Sequence, residues 1–147
     1  MKRLLFIIVF FVALLFSCSN PTQSSNSNVN GQIRNMTFSY NSASAISNGT
    51  YWYVMILGGS YYPNVSFSLL KTNGTKTYSI TTYGTSSGGN DGIQLNGMIS
   101  ATLGTLFDSG ELIIDSINTS KINGHIIGAK TIEQTSNLDG YFSANIQ

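Results

Sequence analysis

Val65-Ser66-Phe67-Ser68-Leu69-Leu70-Lys71-Thr72-Asn73-Gly74-Thr75-Lys76-Thr77-Tyr78-Ser79-Ile80-Thr81-Thr82-Tyr83 places strand-like sequence on both sides of an Asn-Gly pair. Val65, Phe67 and Leu69 recur every second residue, so they share one face of an extended segment and leave serines on the other. Asn73-Gly74 suits the positive φ angles of a tight turn. The spacing therefore predicts a β-hairpin that joins a strand over residues 65–71 to one over 76–83.

The same reading extends in both directions. Upstream, Met36, Phe38 and Tyr40 alternate in the manner of a strand. Tyr51-Trp52-Tyr53-Val54-Met55-Ile56-Leu57 is apolar on both faces and bounded by glycines, as expected of a central strand covered on two sides. Downstream, strands are predicted over residues 93–103, 111–117, 121–129 and 140–146, with a short one near 131–134. Between them stand turn signals such as Asp108-Ser109-Gly110, Asn118-Thr119-Ser120 and Asn137-Leu138-Asp139-Gly140. No capped helical stripe competes. The expectation is an all-β domain, a single antiparallel β-sandwich or partly closed barrel of about 8–10 short strands.

Composition narrows the function. Only 9% of the 147 residues are charged. Beyond residue 31, Arg34, Lys71, Lys76, Lys121 and Lys130 stand scattered against Asp91, Asp108, Glu111, Asp115, Glu133 and Asp139. No basic face exists to neutralise a run of phosphates, which argues against nucleic acid as a partner. His125 is the sole histidine and Cys18 the sole cysteine, so a His/Cys metal site cannot be assembled. No Gly-x-Ser-x-Gly elbow marks a nucleophile, and His125, between Gly124 and Ile126, reads as a strand or surface residue. Asp108, Glu111 and Asp115 read as solvated turn and edge charges rather than as a glycosidase pair. Gly88-Gly89-Asn90-Asp91-Gly92 offers a single carboxylate, too few for calcium, and reads as a hairpin loop. The expectation is a non-enzyme without cofactor, metal or catalytic residue.

The amino terminus carries an address. Lys2 and Arg3 precede an unbroken apolar run over residues 4–16, shorter than the roughly 20 residues that a membrane-spanning helix needs. Leu15-Phe16-Ser17-Cys18 resembles the lipobox of bacterial lipoproteins. The resemblance implies a signal peptide over residues 1–17, cleavage before Cys18, and a diacylglyceryl group on its thiol, usually with acylation of the new amino terminus. Ser19, where aspartate would favour retention in the inner membrane, implies residence at the outer membrane. The alternative is an ordinary secretory signal cut after Ser19, which would release a soluble protein. Residues 18–31 then form a lipidated terminus and a polar, flexible tether, with the β domain over residues 32–147.

In the second half, Gly110-Glu111-Leu112-Ile113-Ile114-Asp115, Lys121-Ile122-Asn123-Gly124-His125-Ile126 and Gly140-Tyr141-Phe142-Ser143 resemble small all-β domains of bacterial envelope lipoproteins of unknown function. That likeness implies the fold and carries over no site residue. Aromatic rings remain the feature suited to recognition: Tyr51, Trp52, Tyr53, Tyr78 and Tyr83 read mainly as core and rim. Tyr61 and Tyr62, in a turn bounded by Gly, Ser and Pro, are the candidate ligand-binding pair. The functional expectation is an outer-membrane-anchored lipoprotein whose β domain binds a glycan or a protein without catalysis. The alternative is a structural or assembly subunit of an envelope protein complex.

Overall fold

The structure, a computed structural model, describes residues 26–83 and 91–147. Among these residues twelve strands follow in chain order: β1 (Asn30–Ile33), β2 (Met36–Ser39), β3 (Ser42–Asn48), β4 (Tyr51–Leu57), β5 (Asn64–Leu70), β6 (Lys76–Ile80), β7 (Gly92–Ile93), β8 (Asn96–Met98), β9 (Gly104–Leu106), β10 (Ser109–Ile117), β11 (Lys121–Lys130) and β12 (Asn137–Ile146). They form one sheet in the order β7-β6-β10-β11-β12-β3-β4-β5-β8-β9, with β1 pairing β12 and β2 pairing β1. Pairing is antiparallel except between β12 and β3 and between β6 and β7. The all-β expectation holds.

The sheet curls. β7 lies at one end of the order and β8 beside the other end, yet only Gln94 and Leu95 separate them in the chain. One short segment therefore draws the two ends together, and the result is a partly closed barrel. At the seam, a Cβ on Gly97 would stand 3.0 Å from the side chains of Ile33 and Phe107, so any other residue would force these neighbours to shift. Arg34 adds a hydrogen bond from Nη1 to the Gly104 carbonyl, 3.2 Å, which ties the β1–β2 turn to β9.

The concave side is the core. Phe38, Val54, Ile56, Val65, Phe67, Leu69, Leu112, Ile114, Ile122, Ile126 and Phe142 are among the side chains that fill it. Phe67 meets Phe142 edge to face at 5.7 Å between centroids, a favoured aromatic geometry that links β5 to β12.

Several local expectations are corrected. Residues 65–71 and 76–83 do not form a hairpin, because β5 pairs with β4 and β8 whereas β6 pairs with β10 and β7. Gly74 does take a positive φ of 61°, but after a 3-10 turn at Lys71–Asn73 it sends the chain around a corner to the other side of the barrel. Two-residue turns close hairpins elsewhere: Arg34-Asn35, with φ of 49° and 63°, between β1 and β2, and Gly49-Thr50 between β3 and β4. β4 is central, as expected, but covered on one face only: Val54 and Ile56 are fully buried while Tyr53, on the convex side, is 36% exposed because no second layer lies over it.

The strand expected over 93–103 breaks at Gln94-Leu95, since β7 and β8 serve different neighbours. Residues 131–134 form a turn, not a strand. Asn137-Leu138-Asp139-Gly140 opens β12 instead of preceding it, with Leu138 fully buried. The β domain includes residues before the expected boundary at 32: Val29 is fully buried, and Asn30 and Gly31 pair with Asp139 and Leu138.

Candidate functional site

Cys18 and residues 88–90 of the glycine-rich loop lie outside the described residues. The single carboxylate of that loop, Asp91, forms an ion pair with Lys76, and this hydrogen bond holds the Lys76 ammonium above its ordinary range. Asp91 thus has a structural partner in β6.

Tyr61 and Tyr62 sit at the tip of the β4–β5 hairpin, 78% and 39% exposed. The turn under them is well braced. Gly58 N–H donates to the Pro63 carbonyl (2.8 Å), Asn64 Nδ2 to the Tyr61 carbonyl (2.9 Å), and Asn41 Nδ2 to the Gly59 carbonyl (3.1 Å). The Tyr62-Pro63 peptide is cis.

A second surface is an open groove of about 670 Å³, which Tyr61 and Tyr62 do not line. Three stretches distant in sequence build it: Thr81, Thr82 and Tyr83 after β6, Asp108 and Ser109 where β10 begins, and residues from the 130–137 connection between β11 and β12. That connection is pinned from several sides. Asp108 accepts from Ile132 N–H (2.7 Å) and donates its own N–H to the Lys130 carbonyl (2.8 Å). Thr131 Oγ1 accepts from Ser136 N–H, and Ser136 Oγ accepts from Arg34 N–H (2.9 Å).

With those groups engaged, a separate set remains. The side chains of Thr82, Ser109, Lys130, Gln134 and Asn137 make no hydrogen bond or ion pair among the described residues. Two apolar bodies, Tyr83 at 96% and Ile132 at 82% exposure, stand almost wholly in solvent at the same groove. Gln134 adopts φ of 54°, a conformation that side chains with a Cβ rarely take and that a surrounding hydrogen-bond frame must hold. The groove therefore offers hydroxyl, amide and ammonium groups beside an aromatic face on a fixed backbone, an arrangement suited to binding.

His125 belongs to neither surface. It lies on the convex side, where Nδ1 is 3.0 Å from Asp115 Oδ2 and the ring stacks at a tilt on Tyr141, 4.8 Å between centroids. Glu111 shares that side of β10 with Asp115, while Asp108 supports the groove, so the three acids do not converge on one cleft.

Tyr61 and Tyr62 form one exposed surface, and the groove is a second one, built from other residues. Tyr83 is visible in the sequence as an aromatic residue, but its neighbours come from segments that read separately as strand ends or turns. No family model matches the chain, and no curated protein or solved structure gives a significant match to it.

Proposed function

We propose that the chain is an envelope lipoprotein, anchored through Cys18 at the outer membrane, whose β domain is a non-catalytic binding module with a glycan as its ligand. The observation that supports this reading is the groove beside Tyr83. Sugars present hydroxyl groups and flat C–H faces together, and the groove sets unengaged hydroxyl and amide groups beside an exposed aromatic ring. One carboxylate, Asp108, and one ammonium, Lys130, give it no strong net charge. Orientation would come from hydrogen bonds, and affinity from ring stacking.

The test is binding of the full chain to a panel of envelope and host polysaccharides, compared with Tyr83→Ala and Gln134→Ala. Both side chains are at the surface, so the variants should keep the native circular dichroism. An affinity loss of about tenfold, roughly 1.4 kcal/mol, is expected for Tyr83→Ala. Unchanged binding to every polysaccharide that the parent retains would refute the assignment.

The assembly reading is favoured by a different observation. β2 pairs on one side only, with β1, and Met36-Thr37-Phe38-Ser39 carries none of the charges or prolines that commonly guard a sheet edge. Crosslinking in intact membranes separates the two, since a subunit would return one stoichiometric protein partner.

A further inference from the structure

The tyrosine hairpin lies next to the point where the amino-terminal chain joins the domain. Val29, the first buried residue, accepts at its carbonyl from Tyr40 N–H (2.8 Å). The next residue, Asn41, donates N–H to the Leu57 carbonyl (2.8 Å) and Nδ2 to the Gly59 carbonyl (3.1 Å). Tyr40 and Asn41 thus connect the end of the tether to the base of the hairpin.

The hairpin is also free of charge. Residues 35–70, which include β2 to β5 and the tip, contain no Asp, Glu, Lys or Arg. Tyr61 and Tyr62 expose rings that carry a polar hydroxyl on an apolar body, the side-chain type enriched where water meets lipid. Three hydrogen bonds brace the turn, so little conformational freedom is lost when it docks.

We propose that residues 58–63 are an interfacial foot: Tyr61 and Tyr62 seat among lipid headgroups and fix the domain's orientation on the membrane. The proposal rests on the reading that Cys18 is acylated. As a random coil, the ten peptide steps from Cys18 to Asn28 would have an r.m.s. reach of roughly 17 Å, which would keep the hairpin close to the bilayer. Two tyrosines would hold a free protein weakly, but the tether makes the contact intramolecular, and a weak contact then suffices to orient the domain. An uncharged tip has no ionised group to strip of water on entering the headgroup layer.

The experiment uses the acylated full chain, with Trp52→Phe so that an introduced tryptophan is the sole one, in phosphatidylcholine vesicles containing lipids brominated near the headgroup end of the acyl chain. Tyr61→Trp should be quenched at least about twofold relative to unbrominated vesicles, as an interfacial ring requires. Thr119→Trp, in the exposed β10–β11 turn, serves as the control and should change little. Flotation of the same samples, with Cys18→Ala alongside, reports the anchor independently. If the acylated chain floats and the Tyr61→Trp variant is no more quenched than the Thr119→Trp variant, the hairpin is not at the lipid, it is open to a protein partner instead, and this proposal fails while the anchor stands. If the acylated chain does not float, both fail. If Cys18→Ala floats as well as the parent, the anchor is refuted and the foot, which rests on it, fails with it.

Discussion

Val29→Ala measures whether the last residues of the apparent tether belong to the domain. Val29 has no exposed surface, and the strand that follows it pairs through Asn30, Gly31 and Gln32 with Asp139, Leu138 and Asn137. The substitution removes two methyl carbons from the core at about 0.8 kcal/mol each, and a partly collapsed cavity adds about 1 kcal/mol more, so the expected loss is about 2.5 kcal/mol. For a domain of this size, that lowers the unfolding midpoint by about 10 °C. Thermal unfolding followed by far-UV circular dichroism reads the shift. Ser27→Ala, two residues upstream and outside the core, is the control and should fall within about 0.5 kcal/mol of the parent. If Val29→Ala behaves like Ser27→Ala, the segment is not docked. The tether would then end further along the chain, and the adjacency of tether and tyrosine hairpin would be lost with it.

Gly97→Ala tests the seam of the barrel. A methyl group there would sit 3.0 Å from Ile33 and Phe107, so overpacking should outweigh the usual gain from replacing glycine and cost about 1–3 kcal/mol in urea denaturation. A more stable variant would mean that β8 and the β1–β2 hairpin do not meet as described. Tyr78 is fully buried, and its hydroxyl has no hydrogen-bond partner among the described residues. Tyr78→Phe should therefore be neutral or stabilising by up to about 1 kcal/mol, and a loss beyond about 1 kcal/mol would show that the hydroxyl is satisfied in solution.

The β10–β11 pair, formed by sequence neighbours, is legible; pairings between distant segments are not. β10 and β11 stand where alternation puts them, because each strand's inward row, Leu112 and Ile114 against Ile122 and Ile126, is written in its own sequence and an Asn118 turn joins them. Asn73-Gly74 shows the limit. Gly74 takes the positive φ while Asn73 ends a 3-10 turn, and a turn residue does not choose which strands pair. Burial of Phe67 against Phe142, across the barrel, belongs to that choice and has no local signature. Arg34-Asn35 fails in the opposite sense: arginine is no turn former, and the Ile33–Met36 pairing imposes the positive φ on it. β1 was hidden because Asn and Gly side chains carry no pattern, while the backbone pairs and a single valine do the docking.

The two candidate surfaces differ in legibility for the same reason. Tyr61 and Tyr62 sit in one local turn whose Gly, Ser, Tyr and Pro can be read in a single window, and from outside it the structure brings Asn41 and Phe38. The groove needs three windows at once, and two of them mislead when read alone. Residues 131–134 have strand-like composition but turn because Asp108 captures the Ile132 amide from across the groove. Asp139 similarly accepts from Gly128 N–H at 2.6 Å, where the β11–β12 register shifts. In a chain with so few charges, these carboxylates serve the backbone. Their places in sequence consequently mark loop scaffolding, and the side chains left unengaged at the groove among the described residues are uncharged ones nearby, together with Lys130.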